Sequence, residues 1–95
     1  MPFGLEATKT FEHEYKKLSK KNSELKKEVE SKLARLVEDP FIFEPLRSPL
    51  QGFRRTHIMK SHVLLYAINE KENSVLLVKL EPHDKVYSTV PLGRN

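Results

Sequence analysis

The chain has 95 residues, 38% hydrophobic and 32% charged, which allows one modest core and excludes both a disordered chain and a protein with two cores. It contains no cysteine, so disulfides, thiolate metal sites and a thiol nucleophile are excluded. The net charge of +4 is a mild pointer to a polyanionic partner.

The first segment, MPFGLEATKT, lacks the charged start and long apolar run of a secretory leader. No stretch approaches the ~18 apolar residues of a membrane span, so a cytoplasmic chain folding as one domain over 1–95, with no membrane partner, is expected. Phe3, Leu5 and Ala7 alternate with polar positions and predict a short strand. Thr8 then caps a helix whose Phe11, Tyr15 and Leu18 fall on one face, with Lys20 to Ser23 as its exit and a turn. A second helix carries Leu25, Val29, Leu33, Leu36 and Val37 in one stripe. It ends at Asp39-Pro40, because the residue before proline is pushed out of the helical region.

The two helices read as an antiparallel hairpin, with their interleaved Glu and Lys as solvated support. Phe41-Ile42-Phe43 with Pro45 and Pro49 reads as an irregular link carrying apolar anchors. From Phe53 the period becomes two, giving strands at about 53–59, 62–69 and 74–81, with turns at Lys60-Ser61 and Asn69–Asn73. The order strand, helix, helix, three-strand meander predicts an α+β fold with both helices on one face of a largely antiparallel sheet.

Charge is distributed unevenly along these elements. Residues 1–39 hold nine Lys/Arg against eight Asp/Glu, whereas Pro45 to Asn69 holds Arg47, Arg54, Arg55 and Lys60 and no acid. If Thr56 and Ile58 face the helices, Arg55 and His57 face the other side, giving the sheet one dry face and one charged face. On the same parity Val75, Leu77 and Lys79 alternate with Leu76, Val78 and Leu80, and Glu81 to Tyr87 follow. Imidazoles, guanidinium groups and a phenol on neighbouring segments suit cleavage of RNA by its own 2′-hydroxyl. One group takes the 2′ proton, cations hold the phosphorane charge, and an acid protonates the departing 5′ oxygen. That chemistry demands neither metal nor cofactor, although the same residues also fit an ordinary solvated sheet surface. A zinc site from His57, His62 and His83 would have neither cysteine nor a suitable carboxylate pattern to complete it.

The run L-x-G-F-R-R-T-H-I-(x)4-V-L-L-Y-x-I, from Leu50 to Ile68, followed after a strand by H-D-K-V-Y, His83 to Tyr87, resembles the RelE/ParE toxin superfamily. The His-Ile and Leu-Leu-Tyr spelling is most similar to its RelE and YafQ-type branch, and Phe11, Tyr15 and Leu18 fit the helical front half. The resemblance implies a toxin of a type II toxin-antitoxin pair with the RelE-like fold. It also implies cleavage of mRNA in the ribosomal A site without metal or cofactor, and a toxin-antitoxin hetero-oligomer whose antitoxin covers the apolar and basic surface. Matched to the motif, Arg55 and His57 stand at the strand positions that contact the scissile phosphate, His83 at the basic or histidine position after the last strand, and Tyr87 at the terminal aromatic that stacks on a base or assists proton transfer. Within that set His57 and His83 are expected to transfer protons, Arg55 with Arg54 to stabilise the phosphate, and Tyr87 to stack on a base. Arg54, Lys60, His62 and Lys85 are the RNA contacts around them, and His13, between Glu12 and Glu14, is helix surface. The chain departs from the YafQ-like pattern at Ser61-His62, where an Asp-Trp pair would stand, and no glutamate base is evident, so the acceptor of the 2′ proton stays open. Two other outcomes share this fold: a ParE-like inhibitor of DNA gyrase, and a relative that binds RNA without cutting it. Gly93 to Asn95, after Pro91, read as a loose tail.

Overall fold

In the computed structural model, residues 2–47 and 51–82 are described. Strand β1 (Gly4–Ala7) leads through Thr8 into helix α1 (Lys9–Lys21), and the Thr8 hydroxyl accepts the Phe11 N–H at 2.9 Å as an N-cap. A single residue then ends one helix and starts the next. The Asn22 N–H donates to the Leu18 carbonyl, closing α1, while its side-chain oxygen accepts the Leu25 N–H at 3.0 Å, opening α2 (Ser23–Glu38). Asp39 repeats the device, closing α2 through its N–H and capping the short 3-10 turn Pro40–Ile42 with its carboxylate.

The predicted link is more ordered than its sequence indicates. Glu44–Pro45 form a two-residue strand, β2, antiparallel to β3 (Arg54–Ile58). Strands β4 (His62–Asn69) and β5 (Ser74–Pro82) complete a five-stranded sheet in the order β1-β5-β4-β3-β2. The meander β3-β4-β5 is antiparallel as expected, but β1 lies parallel to β5, pairing Gly4 to Ala7 with Ser74 to Leu77, so the sheet is mixed. A parallel neighbour requires a long crossover, and the helical hairpin is part of that connection.

The main core forms between the helices and one sheet face. Phe11 of α1 and Leu25, Val29 and Leu36 of α2 meet Ile58, Leu64, Tyr66, Val75, Leu77 and Leu80. At ~1.5–3 kcal/mol for each large apolar side chain removed from water, this cluster is the principal source of stability. The Tyr66 hydroxyl, buried in it, donates to the Pro40 carbonyl at 2.8 Å and so ties the sheet to the turn after α2. Burial pushes the Tyr66 phenol up to about 12.

One strand breaks the expected alternation. Leu65 pairs with Lys79 and Tyr66 with Leu77, so Val78 is an extra residue in β5. A strict period of two would have put Lys79 into the core beside Val75 and Leu77. The bulge resets the parity, Leu80 enters the core instead, and Lys79 is turned out of it.

Candidate functional site

Thr56 and Ile58 are buried on the helix face, and the Thr56 hydroxyl lies 3.2 Å from the Lys32 ammonium of α2. Arg55 and His57, between and beside them in β3, therefore present themselves on the opposite face. That face is not uniformly charged as expected from its cations. Val63 and Leu65 of β4 lie on it fully buried, packed with Leu46, Phe53 and Val78 as a second apolar cluster. The register makes two rows across it: His57, Val63, Glu81 and, one step along, Arg55, Leu65, Lys79. Strands stand ~4.8 Å apart, so each row places an imidazole or guanidinium about 10 Å from a charged residue of β5 with an apolar floor between.

Arg55 is engaged. Its Nε and Nη2 donate to one carboxylate oxygen of Glu44 at 3.2 and 3.1 Å, across the β2–β3 pair. The acid-free segment begins one residue too late to reveal this partner. A two-point contact of a phosphate with the Nε and Nη2 edge requires Glu44 to yield that edge. His57 is exposed and lines an open hollow with Glu28, Lys32, Met59 and Lys60, the Lys32 ammonium being held on the helix side by the Thr56 hydroxyl. The hollow's floor is held by an unusual turn. Met59 and Lys60 both adopt positive φ, of 57° and 74°, and the Met59 N–H donates to the Glu28 carboxylate at 3.0 Å.

Two candidates lie off the face that carries Arg55 and His57, Arg54 on the side that its alternation with Arg55 implies. Arg54 lies on the other side of β3, where Nη1 donates to the carbonyls of Phe41 and Phe43 at 3.3 and 2.7 Å and the guanidinium stacks on Phe41. It holds the link after α2 in place. His62 pairs with Ile58 and shares the parity of Leu64, which puts it at the helix-side end of the sheet, away from His57. Its Nδ1 lies 2.8 Å from the Ser61 hydroxyl, and burial lowers its pKa, favouring the neutral ring. The opposed placement of His57 and His62 also removes the zinc arrangement considered above. Among the described residues no group of three or more metal-ligating side chains converges. His13 is exposed on α1, as expected. His83, Lys85 and Tyr87 lie outside the described residues.

The fold also assembles a charged cluster that sequence reasoning passed over. Glu14 of α1 accepts the Leu80 N–H at 2.8 Å, and the Lys79 ammonium stands 3.8 Å from Glu14 and 3.4 Å from Glu81. Burial and a hydrogen bond that the protonated Glu14 carboxyl donates to Glu81 push Glu14 up to about 7, against the opposing pull of the Leu80 N–H and Lys79. One signal existed in the sequence: Glu14 lies three residues after Phe11 and four before Leu18, on the apolar stripe where an acid is out of place.

With this geometry in view, residues 5–87 match the family model described as the ParE toxin of the type II toxin-antitoxin system parDE. This chain belongs to that toxin family. Over 79 residues it is 33% identical to a Methanocaldococcus jannaschii protein named as toxin RelE4, covering 83% of this chain and 84% of the relative. The toxin is also similar to a solved YoeB/ParE toxin from Agrobacterium tumefaciens, with TM-score 0.79 and 15% identity over 85% of this chain and 99% of that one. A second solved structure, the toxin-antitoxin complex RelBE2 from Mycobacterium tuberculosis, matches with TM-score 0.73 and 22% identity over 87% of this chain and 100% of that one. At those identities the structural likeness establishes the shared fold, and the family model establishes that the toxin is one of the RelE/ParE superfamily. No described helix of the toxin is long and apolar enough to cross a membrane.

Proposed function

We propose that this toxin is an endoribonuclease that cuts mRNA on the ribosome by activating the RNA's own 2′-hydroxyl, and that a cognate antitoxin protein covers the cutting face. The observation that carries the reading is the placement of Arg55 and His57 two residues apart on one strand, on the sheet face opposite the helices, with Lys60 in the turn that follows. In the reaction the 2′ oxygen attacks phosphorus, its proton passes to a base, and the 5′ oxygen leaves with a proton from an acid, giving a 2′,3′-cyclic phosphate. Imidazole serves either proton transfer near neutral pH, which fits His57 and His83. Arg55 stabilises the charge that develops on the phosphorane, since a guanidinium acts most strongly where charge appears in the transition state. Tyr87 supplies a ring on which an exposed base stacks, while Lys60 and Lys85 hold flanking phosphates. The antitoxin partner is supported by the likeness to a toxin solved in complex with one.

Arg55→Ala and His83→Ala each relieve growth arrest in cells expressing the toxin while leaving its unfolding midpoint close to the parent's. Primer extension on cellular mRNA after induction shows new 5′ ends inside codons for the parent only. The matched family model carries the ParE name, which favours gyrase poisoning as the competing reading. DNA damage without new mRNA ends establishes that reading, and full toxicity of the double variant removes the nuclease assignment.

A further inference from the structure

We propose that Glu14, on α1, is a positioning residue: it stands in for the edge strand that β5 lacks beyond Leu77 among the described residues, and so sets the end of β5 that carries Lys79 and Glu81 into the two rows with Arg55 and His57. The functional half of this inference rests on the nuclease reading, whereas the structural half stands independently of it.

β1 covers β5 only from Ser74 to Leu77. Past that point no strand among the described residues lies beside the outer edge of β5, and Thr8 and α1 make the bonds there. The Thr8 N–H donates to the Leu77 carbonyl at 3.0 Å, the Thr8 hydroxyl to the Val78 carbonyl at 2.7 Å, and Glu14 accepts the Leu80 N–H at 2.8 Å. A buried strand N–H without an acceptor is costly, so this carboxylate anchors the strand's last stretch. It does so at a cost of its own. The side chains of Glu14, Lys79 and Glu81 are only 16%, 12% and 17% exposed, and this places two carboxylates close together in a poorly hydrated place.

Their repulsion is relieved by a proton shared within the pair, and because burial and the Glu81 hydrogen bond hold Glu14 at about 7, the proton is exchanged at neutral pH. When Glu14 is protonated it donates to Glu81; when it is ionised the two carboxylates repel, and Lys79 stands between them. The strand end is therefore held in two ways on either side of pH 7. The charged groups facing Glu14 are Lys79 and Glu81 of β5. His13 and Lys17 on α1 and Glu6 on β1 are exposed, and Glu30 of α2 accepts the Tyr15 hydroxyl at 3.3 Å.

The test compares the full-length parent, Glu14→Gln and Glu14→Ala by amide hydrogen exchange and by nuclear magnetic resonance across pH 5.5 to 8.5. Glutamine retains an oxygen that accepts the Leu80 N–H and cannot titrate; alanine removes both properties. The expected result is Leu80 exchange about tenfold or more faster in Glu14→Ala, near-parental exchange in Glu14→Gln, and a Leu80 amide shift that titrates near pH 7 in the parent only. Cleavage of an RNA substrate then falls about tenfold or more in Glu14→Ala and is restored by Glu14→Gln, with the parent's pH profile altered in the glutamine variant. Equal Leu80 exchange in all three proteins overturns the positioning role. If Glu14→Ala does not fold, a parental Leu80 titration that survives in Glu14→Gln overturns it equally. Should the parent cut no RNA, the nuclease reading fails while the Leu80 data still decide the role of Glu14.

Discussion

If Arg55 binds RNA phosphate as proposed, Glu44 competes for it, and removing Glu44 should strengthen binding. The pair is close, with Nη2 and Nε 3.1 and 3.2 Å from one oxygen, but it lies near water: the Glu44 side chain is 62% exposed and that of Arg55 23%. Ion pairs of this kind contribute ~0.2–1 kcal/mol, because solvent screens the attraction and both side chains lose rotamer freedom. A phosphate that must first displace Glu44 forfeits that amount, and ~1.4 kcal/mol is a factor of ten in affinity. Glu44→Ala should therefore tighten binding of a short single-stranded RNA about two- to fivefold at ~50 mM salt, with the gain shrinking as salt shortens the reach of charge. Fluorescence anisotropy titrations of the parent, Glu44→Ala, Arg55→Ala and the double variant measure it. The coupling must be specific to Arg55, so the gain should vanish in the Arg55→Ala background. A gain of the same size in both backgrounds would mean that Glu44 acts only as bulk negative charge, and no gain in either would refute the competition.

Tyr66→Phe keeps the buried ring but strands the Pro40 carbonyl that now accepts its hydroxyl at 2.8 Å, and should lower stability by ~1–3 kcal/mol in urea unfolding. A midpoint equal to the parent's would show that the bond contributes nothing. Stability should also fall as pH rises between about 5 and 8. The Glu14 carboxyl is raised from its ordinary 4.5 to about 7. Its contribution is thus fully present below about pH 4.5, where folded and unfolded chains both hold the proton, and is lost as pH rises through 7. Thermal unfolding across that range in Glu14→Gln should show a flatter profile than the parent.

Features governed by neighbours in sequence were legible. The stripes Phe11, Tyr15, Leu18 and Leu25, Val29, Leu33, Leu36 are separated by three or four residues, and α1 and α2 form where that spacing lies. The period of two from Phe53 onward locates β3, β4 and β5 almost to the residue, and strand parity alone puts Arg55 and His57 on one face with Thr56 and Ile58 on the other. The two-residue strand Glu44–Pro45 was not legible, because it is a strand only by virtue of pairing with Arg54 and Arg55. The placement of His62 shows the same limit from the site's side. Its nearness in sequence to His57 looks like a shared site, yet the turn at Met59–Ser61 brings it back beside Ile58, on the opposite face.

The residues by themselves determined the element types, the helical hairpin, the meander and the membership in a toxin family, since each depends on local periodicity or on ordered short motifs. Only tertiary structure decided that β1 runs parallel to β5, that a bulge at Val78 exchanges Lys79 for Leu80 in the core, that Glu44 occupies Arg55, and that Glu14 meets Lys79 and Glu81. Each of those contacts joins groups far apart along the chain or shifts a register by one residue. Hydrophobic spacing carries no information about which distant partner will satisfy a hydrogen bond or a charge, so those pairings exist only once the chain has closed on itself.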